Sequence, residues 1–134
     1  MAIPAIEEGL QHIIEENPGC ATFTPEQVYQ GIRDGRADLY ATYLDDQYGG
    51  FVILGTRFEL FTGEPRLLIW CAYMQRKFPR AKELSRLVYR AIDEIARARG
   101  IRKEFFITSR PGWEREAPRR GFKKLETTWI REVD

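Results

Sequence analysis

The chain has 134 residues and a mass of 15.7 kDa, enough for one compact domain, and its 43% hydrophobic content is enough for a real core. A net charge of +1 excludes the large basic excess of a nonspecific nucleic-acid binder, and no apolar run reaches the ~18 residues that span a bilayer. Glu7 and Glu8 break the basic-then-apolar start of a secretory signal, and Cys20 and Cys71, far apart in sequence, read as reduced thiols of a cytoplasmic protein.

In chain order, residues 5–16 place Ile6, Leu10, Ile13 and Ile14 at helical spacing, and "NPG" at 17–19 stops that helix. Thr24 reads as an N-cap, with Pro25 at the first helical position and Gln27 completing a capping box. This second helix is predicted to run to about Asp34 and end at Gly35. Residues 39–44 alternate as a strand, "DDQYGG" forms a hairpin turn, and residues 51–61 form a second strand with Gly55 at a bulge. "RLLIWCAYM", 66–74, is almost continuously apolar, as expected of a strand buried on both faces, with Trp70 in the core.

From Arg80 to Arg99, Leu84, Leu87, Val88, Ala91, Ile92, Ile95 and Ala96 form one apolar stripe, and Gly100 supplies the stop. A short strand follows at 105–108. "SRPGWEREAPRR" is irregular with room for one helical turn, and Gly121-Phe122 leads into a last strand over 123–133. The order is that of a single α+β domain spanning residues 1–134: a mixed, mostly antiparallel sheet with helices on both faces.

This order, and in particular "RLVYRAIDEIARARGIRKEFFI" and "APRRGFKKLE", resembles the GCN5-related N-acetyltransferase (GNAT) superfamily from about Thr24 to the end, leaving the first helix as an addition. The resemblance implies an acyl-CoA N-acyltransferase fold, acetyl-CoA as cofactor and an amine as substrate. It implies that backbone groups of Ala72, Tyr73 and Met74 hold the pantetheine arm where two strands splay apart. It also implies that a turn lined by Arg80, Ala81, Lys82, Leu84 and Ser85 grips the pyrophosphate. The underlying physics is general: free amides at a helix start, helped by the helix dipole, attract an anion.

Two positions depart from the superfamily pattern. Glu83 stands where the turn has its first glycine, and like charges ~4 Å apart at a dielectric near 20 cost about 4 kcal/mol, comparable to a thousandfold loss of affinity. The alternative register, 75–80, offers no glycine either and places Pro79 in the turn. Ala117 occupies the place of the tyrosine that protonates the departing thiolate in many members. Tyr73 would substitute for it, although a strand tyrosine is more often a packing residue, and Glu59 and Glu64 are the carboxylates near the strands, each also readable as an exposed turn carboxylate, with Glu59 the candidate general base.

Basic residues gather in the C-terminal half ("RKFPR", "RARGIRK", "PRR"), where they would steer an anionic ligand or form a solvated helix face. Trp113, in a Pro-Gly loop, is the candidate exposed aromatic of a contact surface, and His12 reads as structural. Two functions follow. One is an N-acetyltransferase. The other is an inactive structural or adaptor protein that keeps the fold and works through a protein partner or self-association, such as a virion-associated, phage-encoded GNAT-like component.

Overall fold

The computed structural model describes residues 3–16, 23–108 and 112–133. Residues 17–19 and Cys20, which bear on the first helix stop and the cysteine pair, lie outside the described residues.

Among the described residues, helices α1 (Ile3–Glu16) and α2 (Pro25–Arg33) precede strands β1 (Asp38–Leu44), β2 (Gln47–Phe58) and β3 (Pro65–Met74). Helix α3 (Ala81–Ala98), strand β4 (Glu104–Phe105) and helix α4 (Trp113–Arg119) follow. The sheet order is β1-β2-β3-β4, with the first three antiparallel and β4 parallel to β3. α2 starts as its sequence dictates: the Thr24 side chain accepts from the Gln27 amide at 3.2 Å, and the Gln27 side chain accepts from the Thr24 amide at 2.8 Å. Gly35 and Gly100, at φ 77 and 68, take the left-handed conformation that ends α2 and α3.

Two layers of core sandwich the sheet. Ile6 and Leu10 of α1 and Val28 of α2 pack on Phe51 and Ile53. On the opposite face Ile92 and Ala96 of α3 pack on Val52, Leu54, Leu67 and Ile69. The strand buried on both faces is therefore β2, whose Gly49–Leu54 stretch is wholly buried. β3 is not, because its outer neighbour is only two residues long. Its Trp70 is 37% exposed and rests on Phe23 rather than in the core, since the register slips between Ile53 and Leu54 and leaves Trp70 opposite no β2 residue.

Other expectations are corrected in the same way. The hairpin turn is only Asp45-Asp46, both at positive φ, and β2 begins at Gln47 and ends at Phe58. The β1–β2 bulge lies at Gly49, between the pairs Thr42–Gly50 and Tyr43–Tyr48, and not at Gly55. On α3, Leu84, Ile92 and Ala96 are buried, whereas Leu87 and Ala91 are exposed. Trp113 is half-buried against Phe106, with ring centroids 4.9 Å apart, so it is not an exposed contact residue. The last strand does not form: residues 123–133 are exposed and join no strand in the described chain.

Gly9 explains how close α1 comes to the sheet. A Cβ there would lie 2.7 Å from Tyr73 Cδ2 and closer still to Phe51. Gly9→Ala is expected to lose about 1–2 kcal/mol of stability through this overpacking, despite alanine's better helix propensity. Gly31→Ala in α2, where a Cβ would meet nothing nearer than 3.7 Å, is expected to gain up to about 1 kcal/mol. Urea unfolding midpoints check both signs.

Candidate functional site

β3 and β4 share only two register pairs, Leu67–Glu104 and Leu68–Phe105. Among the described residues the outer edge of β3 has no strand partner beyond Leu68, and Ile69–Met74 lead along that edge towards the start of α3. A bare strand edge of this kind presents unpaired backbone N–H and C=O groups. The Tyr73 carbonyl lies against Gly50 of β2, so by strand alternation Ala72, which is exposed, and Met74, which is half-buried, are the residues whose backbone groups face the outer edge.

Chain packing brings the start of α3 to the same end of the sheet. Phe78 is buried with Leu44 and Leu84, and the Gln75 amide donates to the Gly49 carbonyl at 2.7 Å. Between these anchors Lys77 adopts φ 61, a left-handed conformation normally left to glycine. Sequence periodicity carries no sign of that feature. Arg80 is the N-cap and provides no side-chain cap, and the first helical bond runs from the Leu84 amide to the Arg80 carbonyl at 3.0 Å. The amides of residues 81–83 precede that bond, and they form the part of the helix start that an anion would approach.

The side chains around those amides are already engaged. Arg80 donates to both Glu83 carboxylate oxygens, at 2.8 and 2.6 Å, and also to Asp45 of the β1–β2 hairpin. The paired carboxylates Glu83 and then Asp45 raise the Arg80 pKa further above its ordinary value. Leu84 is buried and offers no side chain to a ligand. Lys82 is exposed and Ala81 half-buried. The Ser85 hydroxyl accepts from Arg120 at 2.9 Å, while the same guanidinium lies 4.2 Å over the ring of Tyr89. Arg120 therefore fastens the end of α4 to α3. Only three-dimensional proximity shows it, across a separation of 35 residues.

The candidate acid–base residues fall in different places. Tyr73 points to the α1 face, its ring stacked on His12 with centroids 5.9 Å apart. Burial, reinforced by Glu8, raises its pKa, so the phenol stays protonated at neutral pH. Glu59 caps a turn, accepting from the amides of Phe61 and Thr62 at 2.9 and 2.6 Å, and those bonds hold it ionised. That turn adjoins the Phe58–Pro65 pair, at the far end of β3 from Met74 and roughly 30 Å away along the strand. Glu64, in the same region, pairs with Arg66 and Lys103. Burial pushes the Cys71 thiol up to about 12, which removes it as a thiolate nucleophile. Ala117 serves as a helix end: its carbonyl accepts from the amides of Arg120 and Phe122, each at 3.0 Å.

Two ionisable features were not visible in the sequence. Glu104, facing α3 from β4, is pushed up to about 7, first by burial and then by its hydrogen bond to and charge repulsion from Asp93, against the opposing pull of Arg97. The Tyr48 hydroxyl is buried with no hydrogen-bond partner among the described residues, and burial, then Tyr73, Tyr43 and Glu8, push it up to about 12. Tyr48→Phe removes an unpaired polar group and is expected to leave stability unchanged or raise it by about 1 kcal/mol. A loss of stability in urea unfolding would show that the hydroxyl has a partner after all.

No family model matches the sequence, and no curated protein matches it. The fold, by contrast, is shared with solved acetyltransferases. A ribosomal-protein-alanine N-acetyltransferase from Brucella melitensis biovar Abortus 2308 superposes with a TM-score of 0.70 at 13% identity, over 98% of this chain and 92% of that one. A Trypanosoma brucei acetyltransferase superposes with a TM-score of 0.69 at 15% identity, over 99% of this chain and 96% of that one. An aminoglycoside acetyltransferase from an uncultured soil metagenomic sample, solved in complex with sisomicin, gives 0.70 at 9% identity over 98% and 90%. The chain has the α+β fold of the GNAT acetyltransferases.

Proposed function

We propose that this protein is an acyl-CoA-dependent N-acetyltransferase acting on an amine. The observation that supports the reading is that β4 pairs with β3 at only two residues in the described chain, with the edge of β3 beyond them leading to the side-chain-uncapped start of α3. The site suits acetyl-CoA in its backbone and resists it at one side chain. The open strand edge at Ala72 and Met74, either side of Tyr73, matches the amides of a pantetheine arm. The amides of Ala81, Lys82 and Glu83, with the cations of Arg80 and Lys82 and the hydroxyl of Ser85, match a pyrophosphate. The Glu83 carboxylate opposes it.

When bound, acetyl-CoA supplies the acyl group, which passes to the amine as a C–N bond forms, the C–S bond breaks and the ammonium proton is lost. Tyr73, neutral and at the open end of β3, is the chain's donor for the departing sulfur. Glu59, held ionised in a distant turn, has no part in the step. Solvent at the open cleft is the route by which the amine proton leaves.

Isothermal titration tests the reading. Acetyl-CoA is expected to release heat with a dissociation constant in the micromolar range, and the absence of heat at high micromolar cofactor with folded protein would overturn it. A second reading, a scaffold that retains the fold without the reaction, is favoured by one observation: Arg80 is already occupied by Glu83 and Asp45. It predicts that absence of heat.

A further inference from the structure

The β2–β3 hairpin ends in three large apolar side chains that the described chain leaves in solvent. Phe58 is 66%, Leu60 84% and Phe61 89% exposed. Together they present on the order of 500 Å² of apolar surface, a patch of the size that marks a contact site.

The turn that carries them satisfies its own backbone. The Glu59 carboxylate accepts from the amides of Phe61 and Thr62 at 2.9 and 2.6 Å, and the Thr62 hydroxyl accepts from the Glu64 amide at 3.2 Å. The Glu59 amide donates to the Glu64 carbonyl at 2.9 Å, and the Gly63 amide to the Glu59 carbonyl at 3.0 Å. These amides are paired without water, which is what a backbone needs on entering an apolar layer.

Charge around the tip is unequal. Arg57, Arg66, Arg102 and Lys103 stand against Glu59 and Glu64. Both acids are already engaged, Glu59 by the turn amides and Glu64 by Arg66 at 3.2 Å and Lys103 at 3.0 Å. Arg57 lies 5.6 Å over the Phe105 ring, and Arg102 directly precedes Lys103. Neither has an acidic partner among the described residues. Farther back, Arg36 with Asp34 and Arg99 with Asp38 are balanced pairs.

We infer that this hairpin tip docks on an anionic lipid surface. Phe58, Leu60 and Phe61 enter the interface, and Arg57 and Arg102 meet the lipid phosphates. The tip alone is too small for a protein partner, since its ~500 Å² falls short of the ~800 Å² that each side of a stable interface buries. A bilayer demands no matching shape and takes apolar side chains flanked by cations. Phe58 pairs with Pro65 at one end of β3 and Met74 lies at the other, so docking leaves the start of α3 clear of the lipid.

Cosedimentation of the full chain with vesicles tests this. Phosphatidylcholine vesicles with about one-third phosphatidylserine are expected to pellet most of the protein at low salt, and phosphatidylcholine alone to bind it roughly tenfold more weakly. Phe61→Ser is expected to weaken binding about tenfold and Arg102→Gln about fivefold. Trp129→Ser removes an aromatic of similar exposure outside the tip and is expected to change nothing. Circular dichroism confirms that each variant is folded. Wild-type protein left in the supernatant, equal binding to both vesicle types, or equal losses from Phe61→Ser and Trp129→Ser would each overturn the inference. So would a vesicle-free dimer abolished by Phe61→Ser, which would assign the tip to a second copy of the chain.

Discussion

Replacing Glu83 by glycine is expected to tighten acetyl-CoA binding roughly ten- to hundredfold while lowering the melting temperature by about 3–5 °C. The two effects have separate causes. Glu83 now holds Arg80 through two charge-assisted hydrogen bonds, and any pyrophosphate at the start of α3 would meet that carboxylate first. Removing it eliminates the repulsion, frees Arg80 from one of its two acidic partners and lets the backbone come nearer the anion. The gain falls short of the thousandfold expected of a bare carboxylate, because the pairing with Arg80 already neutralises much of its charge and solvent screens the exposed pair.

The loss of melting temperature comes from the helix. Glycine in place of a first-turn carboxylate costs about 1 kcal/mol in propensity and forfeits the favourable dipole contact. Two further variants separate charge from space. Glu83→Gln removes the charge and keeps the bulk, so it is expected to give part of the gain, and Asp45→Asn releases Arg80 from the other side. Titration calorimetry reads all three. If Glu83→Gly binds no more tightly than the parent chain, the start of α3 is not a phosphate site.

The main divisions of this fold are legible in the sequence for definite reasons. The Thr24-Pro25-Gln27 cap, the stripe on α3 and its glycine stop are local patterns, each fixed within a few residues. The proposed cleft comes into view only through resemblance, since nothing in 66–108 says that β4 will pair for just two residues. Trp70 leaves the core although its run is apolar, because such a run does not reveal which of its members a register slip will leave unpaired. The Arg80–Asp45 contact spans 35 residues and depends on Phe78 drawing the helix start against the hairpin. The segment after Phe122 has a strand's sequence without a strand's partner within the described chain. A pattern can state a preference for pairing, but not where the pair will come from.

A second large effect concerns pH. The protein is expected to become more stable as pH falls from 8 to 5, the reverse of ordinary acid destabilisation, and Glu104→Gln is expected to remove most of that slope. Glu104 has an ordinary pKa of 4.5 and a folded value of about 7. Its folded form therefore takes up a proton that the unfolded chain still releases. Above pH 7 both states are ionised and the folded state bears the whole penalty of a half-buried carboxylate beside Asp93. As pH falls through 7 the penalty is relieved, and below 4.5 the two states are alike. At 1.36 kcal/mol per pH unit the interval is worth about 3 kcal/mol at most, and partial exposure brings the expected gain to about 2 kcal/mol.

Glu59 and Glu64 act in the opposite sense, because their folded pKa values are lowered. Their contribution disappears only below 4.5, outside the window in which Glu104 acts. Glutamine at 104 keeps a donor for Asp93 without the charge, so at pH 8 its melting temperature is expected to rise by roughly 5–10 °C, with little change at pH 5. Calorimetric scans across pH 5 to 8 check both curves. A flat wild-type profile, or a glutamine variant less stable at pH 8, would mean that Asp93 and Glu104 do not share a proton in the folded chain. The consequence reaches the cleft, because Glu104 forms one of the two residue pairs that close β4 onto β3.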